Sequence, residues 1–71
     1  MEIKDIKSKS LKGYIYAKLK KHDAEVIARA VQKTLQLPVT REFDERTVNA
    51  INNVKTFQHE LFKEKMSRYL A

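Results

Sequence analysis

One glycine and one proline in 71 residues leave few positions for tight turns, and this shortage most constrains the fold. A sheet protein of this size needs more turn residues, whereas Lys, Glu, Ala, Leu and Gln, which are abundant here, favour helices. A chain this short buries only about 60% of the surface that its unfolded form exposes. The sequence therefore predicts a single all-α domain over residues 1–71, a compact bundle of three main helices with a shorter leading helix.

The leading helix is predicted from three apolar residues at steps of four. Leu11, Ile15 and Leu19 fall on one helical face. Gly13 lies inside this pattern, and a glycine within a helix costs about 1 kcal/mol relative to alanine. We therefore expect the leading helix to begin at Tyr14.

The middle helices are predicted from their first residues, because Asp23 and Asp44 can each accept the free amide hydrogens of a first turn. The stripe after Asp23 consists of Ile27, Ala30, Val31, Thr34 and Leu35, and the residues outside it are Arg29, Gln32, Lys33 and Gln36. Pro38 ends this helix, so residues 36–43 form a connecting turn. The helix after Asp44 is interrupted at Asn52 and Asn53.

The last helix carries a broad apolar stripe that we expect to close the core. Its members are Phe57, Leu61, Phe62, Met66, Tyr69 and Leu70. Its opposite face is charged, as expected for a helix that packs on one side only.

Positive charge is concentrated at the start of the chain. Residues 1–21 contain seven lysines and two acidic residues, a net charge of +5, whereas residues 22–71 contain eight basic and seven acidic residues. We expect residues 1–9 to be a loosely ordered basic arm. The predicted basic patch comprises Lys12, Lys18, Lys20 and Lys21. Such a patch attracts nucleic acid, anionic membrane surfaces or wall polymers without choosing among them, or it simply keeps a small domain in solution.

The sequence predicts no catalytic or metal site. Cysteine is absent, and His59 with Glu60 lacks the second histidine of a zinc-protease helix, since position 63 is lysine. Gly13 is the only glycine, which excludes a glycine-rich phosphate loop. We therefore expect a protein that is not an enzyme and has no cofactor. No apolar run is long enough to span a membrane, so we expect a cytoplasmic location unless a larger parent protein or phage lysis exports the chain.

The run AVQKTLQLPVTREFDERTVNAIN, which begins at Ala30, resembles the small helical peptidoglycan-binding domains found beside bacterial and phage cell-wall hydrolases. The matching positions are Gln32, Leu35, Leu37, Pro38, Val39, Thr40, Phe43, Asp44, Thr47, Ala50, Ile51 and Asn52. The similarity covers residues 26–70. It implies a noncatalytic module that tethers a hydrolase or phage component to the wall, with peptidoglycan or another anionic polymer as its partner. The predicted binding residues are Thr40, Arg41, Arg46, Thr47 and Asn52.

Arg41 departs from the pattern of the family that the chain resembles, which has glycine at this position. If the turn needs a positive φ here, arginine strains it. If the turn has been rebuilt, Arg41 sits at negative φ. In both cases Arg41 places a cation near Arg46.

Two other functions remain open. One is a small basic nucleic-acid-binding or phage regulatory protein, in which Tyr14 and Tyr16 lie among the lysines of the basic patch. The alternative for these two tyrosines is that they rim the core. The other function is a protein-interaction adaptor that uses the last helix to bind a hydrolase, another protein or a second copy of itself.

Overall fold

The computed structural model describes residues 1–71 and contains four α-helices and no strand. They are α1 (Lys9–Lys18), α2 (Ala24–Thr34), α3 (Glu45–Asn52) and α4 (His59–Leu70), with short 3₁₀ helices at Ile3–Asp5 and Thr56–Gln58. The principal extents of 25, 24 and 21 Å are nearly equal. The predicted compact all-α fold is confirmed, although the shortest α-helix is α3, with eight residues. None of the helices is both long and apolar enough to cross a bilayer.

Helix α1 begins earlier than the sequence suggested. Ser8 caps it, its Oγ accepting a hydrogen bond from Leu11 N at 3.2 Å. Gly13 is an interior residue of the helix. The prediction of a start at Tyr14 is wrong because the cap and the complete burial of Leu11 and Ile15 outweigh the helix penalty of one glycine.

The core forms where α2 packs against α4, with α1, α3 and the N-terminal segment closing the sides. Its members are Ile6, Leu11, Ile15, Ile27, Ala30, Val31, Val48, Ile51, Phe62, Met66 and Leu70. Three of the five predicted stripe residues of α2 are in this set, and Thr34 and Leu35 are half-buried at its edge.

Helix α4 buries only part of its predicted stripe. Phe62 and Met66 are buried, whereas Phe57, Leu61 and Tyr69 are 84%, 51% and 44% exposed. Successive helical residues are about 100° apart, so Leu61 and Phe62 cannot both face the same thin core. The expectation that Phe57, Leu61 and Tyr69 help to close the core is corrected accordingly.

The N-terminal segment packs against the body, whereas the sequence predicted a loosely ordered arm over residues 1–9. Ile6 is 1% exposed, a burial that contributes about 1.5–3 kcal/mol. Asn52 fastens the same segment, because its Oδ1 accepts from Lys7 N at 2.8 Å and its Nδ2 donates to Asp5 O at 3.2 Å.

A tyrosine joins the first and last helices. The Tyr14 hydroxyl donates to the Lys63 carbonyl at 3.0 Å and makes a second hydrogen bond of 2.6 Å with Ser67 Oγ. Tyr14 is half-buried and packs against the core. The interpretation that the tyrosines rim the core therefore holds for Tyr14, while Tyr16 is 45% exposed.

Candidate functional site

The turn between α2 and α3 starts with a left-handed residue. Gln36 has φ 58°, Leu37 N donates to Gln32 O at 2.8 Å, and Gln36 N donates to Lys33 O at 3.2 Å. This pair of bonds is the Schellman arrangement that satisfies the last carbonyls of a helix. It ends α2 before Pro38 is reached.

Gln32 holds the turn in place from beneath. Its side chain is 0% exposed, and its Oε1 accepts from Thr40 N and Arg41 N, both at 3.0 Å. Its Nε2 lies 2.8 Å from Thr40 Oγ1, 3.0 Å from Glu42 O and 2.9 Å from Thr47 Oγ1. The amide has two hydrogens and two acceptor lone pairs, so its hydrogen-bonding capacity is fully used and one hydrogen is shared.

Asp44 completes this network as the N-cap of α3. Its Oδ1 accepts from Thr47 N at 2.9 Å and from Thr47 Oγ1 at 2.8 Å, and its Oδ2 accepts from Thr40 Oγ1 at 3.1 Å. The backbone N–H of Thr47 is the main cause that lowers the pKa of Asp44 below 3.8. The Thr47 and Thr40 hydroxyls and the charge of Arg46 lower it further, and burial opposes them. The predicted N-cap is confirmed, and the carboxyl is ionised at neutral pH.

Asp23 differs from Asp44, although both were predicted to cap. Asp23 occupies the N-cap position of α2, but its side chain makes no cap hydrogen bond. Its expected role is therefore corrected to one of position and charge only.

Arg41 occupies the position at which the family that the chain resembles has glycine. Its φ is 65°, so Arg41 has a left-handed conformation, which costs a non-glycine residue about 1–2 kcal/mol. The hydrogen bond from its N–H to Gln32 Oε1 helps to hold this conformation. The alternative of a rebuilt turn with Arg41 at negative φ is wrong.

The structure divides the five predicted binding residues into two groups. Thr47 is 1% exposed, and its hydroxyl is bonded to Gln32 and Asp44. The Thr40 hydroxyl is hydrogen-bonded to the same two residues.

The other three predicted binding residues lie outside this network of side-chain hydrogen bonds. Asn52 is used by the N-terminal segment. Arg41 and Arg46 have exposed side chains and take part in none of the ion pairs. The side chains of Thr40, Thr47 and Asn52 are therefore hydrogen-bonded within the protein, whereas those of Arg41 and Arg46 make no ion pair.

The predicted basic patch gains a residue from α4. Lys18 Nζ lies 5.2 Å and Lys63 Nζ 5.9 Å from the centre of the Tyr14 ring. Lys12 and Lys18 are half-buried, and Lys20 and Lys21 are exposed. Sequence reasoning missed Lys63, because its position beside Tyr14 depends on how α1 packs against α4.

Gln32 was also missed, because its position falls outside the apolar stripe that was predicted for α2. The available signal was the group of hydroxyl and carboxylate side chains in the turn, whose polar groups need partners when buried.

No three His, Asp or Glu side chains in the chain lie together as ligands for a metal ion. Comparisons with protein-family models, curated proteins and solved structures found no match to this chain.

Proposed function

We propose that this chain is a noncatalytic binding module that attaches to peptidoglycan, or to another anionic polymer of the bacterial wall, through the turn between α2 and α3. In this role it tethers a cell-wall hydrolase or a phage component. The proposal starts from the resemblance of the run that begins at Ala30 to small peptidoglycan-binding domains. The observation that carries it is the hydrogen-bond network of Gln32.

The hydrogen-bond network of Gln32 connects several of the residues on which the resemblance depends. Four of the positions that carry the resemblance form a closed ring of side-chain hydrogen bonds, in the order Gln32, Thr40, Asp44 and Thr47. A turn held in this way is preorganised, so little conformational entropy remains to be lost when a ligand binds. The shared residues therefore support a rigid surface for recognition rather than a reaction centre.

The chemistry of that surface suits a carboxylate-bearing ligand. The guanidinium groups of Arg41 and Arg46 are exposed and free of ion pairs. A guanidinium can donate two parallel hydrogen bonds to one carboxylate, a group that the peptides of the bacterial wall contain. Asp44 is not available as a general acid, because its lowered pKa keeps it ionised.

Cosedimentation with purified sacculi over a series of salt concentrations tests the proposal. We expect the intact chain to remain bound at about 1 M salt, where the Debye length is only about 3 Å. The double variant R41Q/R46Q should lose this retention. The matched control K20Q/K21Q removes the same amount of charge from the basic patch and should keep it. Equal loss in both variants, or release of the intact chain at modest salt, would show that attraction is nonspecific.

Nucleic-acid binding is a second candidate, favoured by the unpaired lysines. Only Lys4, Lys63 and Arg68 of the fifteen basic residues lie in ion pairs. The candidate predicts affinity for DNA or RNA that falls linearly with salt on logarithmic axes. Neutralising Lys18 and Lys20 should make that slope shallower by about one for each phosphate that the protein no longer neutralises. Absence of binding at low salt would eliminate this candidate.

A further inference from the structure

A cleft with two contiguous parts lies between the end of α2 and the outer side of α4. The apolar part is lined by Leu35, Val54, Leu61 and Phe62 together with Gln58. The polar part is lined by Lys33, Gln36, Arg68 and Tyr69. Thr34 and Lys65 line both parts, so the two form one surface, which we call the α2–α4 cleft.

The apolar part continues into side chains that the fold leaves in water. Leu61, which lines the cleft, is 51% exposed, and Phe57, four residues earlier in the short 3₁₀ helix Thr56–Gln58, is 84% exposed. Single exposed apolar residues are common on protein surfaces. An exposed leucine on the wall of an apolar cleft, with an exposed phenylalanine four residues earlier in the chain, is typical of a surface that a partner covers.

The polar part is strongly cationic. Lys33, Lys65 and Arg68 line it, and of these only Arg68 has a carboxylate partner, Glu64 at 2.8 Å. Lys33 Nζ lies 5.8 Å from the centre of the Tyr69 ring. Two of the three cations are therefore free to meet negative charge from outside.

Charge complementarity selects the occupant. A second copy of the chain would bring a net charge of +6 against a surface that is already positive, which opposes self-association. Nucleic acid supplies negative charge but no aliphatic group for the apolar part. A protein segment that carries both apolar and acidic side chains meets both halves of the cleft.

We propose that the α2–α4 cleft docks an acidic, amphipathic segment of another protein. One apolar side chain of the segment enters the apolar part, whose volume of about 140 Å³ is close to that of cavities that hold one benzene-sized group. Carboxylates of the segment lie against Lys33 and Lys65. This is recognition of an amphipathic peptide by an apolar groove with a charged rim, and it does not involve Arg41 or Arg46.

Selection from a random peptide library on the immobilised full chain tests the proposal. Peptides of about 16 residues would span about 24 Å as helices, which matches the 25 Å extent of the protein. We expect the enriched peptides to share Asp or Glu on both sides of a Leu, Ile, Phe or Met. Enrichment of no motif, or of a basic motif, would overturn the proposal.

Variants then locate the binding. We expect L61S and K33E/K65E each to raise the dissociation constant of a selected peptide at least tenfold. The control K20E/K21E makes the same change of charge in the basic patch and should leave the dissociation constant within about twofold. A peptide with Lys in place of its acidic residues should bind K33E/K65E better than it binds the intact chain.

The remaining outcomes also decide the question. Selected peptides that bind L61S and K33E/K65E as tightly as the intact chain would overturn the proposal, as would equally effective competition by a DNA oligonucleotide of the same charge. The circular dichroism spectra of the variants show whether they are folded. Leu61 is half exposed, so L61S should remain folded. Changes in the amide chemical shifts of Thr34 and Lys65 when peptide is added to the intact chain give a measurement that needs no variant. We expect L61S and K33E/K65E to be retained on sacculi like the intact chain. A loss of peptide binding can then be distinguished from a loss of the proposed wall binding.

Discussion

Replacing Gln32 by leucine tests whether the turn network stabilises the fold. The substitution roughly keeps the buried volume but removes every hydrogen bond of the amide, which can make four at full capacity. At a net value of about 1 kcal/mol each, these bonds contribute about 4 kcal/mol. Water can replace part of this at Thr40 and Arg41, which are exposed, but not at Thr47, which is 1% exposed. We therefore expect Q32L to lower the free energy of unfolding by about 3–4 kcal/mol.

The measurement is urea unfolding followed by far-UV circular dichroism. A domain of this size has a total stability of about 3–5 kcal/mol, so Q32L should be largely unfolded without urea. The matched control is Q58L. Gln58 is exposed and accepts only one long bond, from Lys55 N at 3.4 Å, so its substitution should change the stability by less than about 0.5 kcal/mol.

Two further variants test the acceptor and the donor groups of the Gln32 amide separately. Q32E keeps acceptors for the backbone N–H groups of Thr40 and Arg41 but loses both donors and adds a buried charge near Asp44, so it should also destabilise the fold. A double-mutant cycle of Q32L with T47V, measured in a stabilising osmolyte so that all four proteins are folded, should give a coupling energy of at least about 0.5 kcal/mol. A urea midpoint for Q32L equal to that of the unchanged protein, or a coupling energy of zero, would refute the reasoning.

Four other substitutions test local features of the structure. Q36G and R41G place glycine at positive φ, so each should raise the free energy of unfolding by about 1 kcal/mol in urea titrations; a decrease would contradict the left-handed geometry. Thr34 Oγ1 is buried without a hydrogen-bond partner, so T34V should be neutral or stabilising by up to about 1 kcal/mol in the same assay, whereas a clear loss would mean that the hydroxyl is bonded. The pKa of Asp44 is lower in the folded state than 3.8, so its contribution is fully present above that value and is lost as the pH falls through the folded pKa. Melting temperatures measured from neutral pH to about pH 2 should therefore fall less steeply in D44N, in which asparagine still caps α3; identical slopes would exclude this role.

Local signals explain the parts of the fold that the sequence predicted well. Asp44 caps α3, Asn52 is its last residue, and the chain between α2 and α3 forms the turn before and after Pro38. Each of these features depends on residues within one or two helical turns. Helix α4 was predicted for the same reason, but the choice between the faces of Leu61 and Phe62 depends on α2, which lies far away in the sequence.

The candidate site was less predictable because its contacts are not local. Gln32 bonds to residues 8 to 15 positions later in the chain, and no helical pattern marks such a partner. Asn52 bonds to Lys7 N, 45 positions earlier. The turn and its arginines could be located from the sequence, whereas the assignment of Thr40, Thr47 and Asn52 to structural roles required the folded arrangement.

The position of α4 across α2 sets the order in which this domain can form during translation. Phe62, Met66 and Leu70 supply the last wall of the core, and they are synthesised after every other member of the core. A nascent chain that stops before residue 59 leaves Ile27 and Val31 without their cover, although α1 to α3 are already present. Folding of the unit therefore has to wait until α4 has left the ribosome, and until then the uncovered face of α2 is open to chaperones.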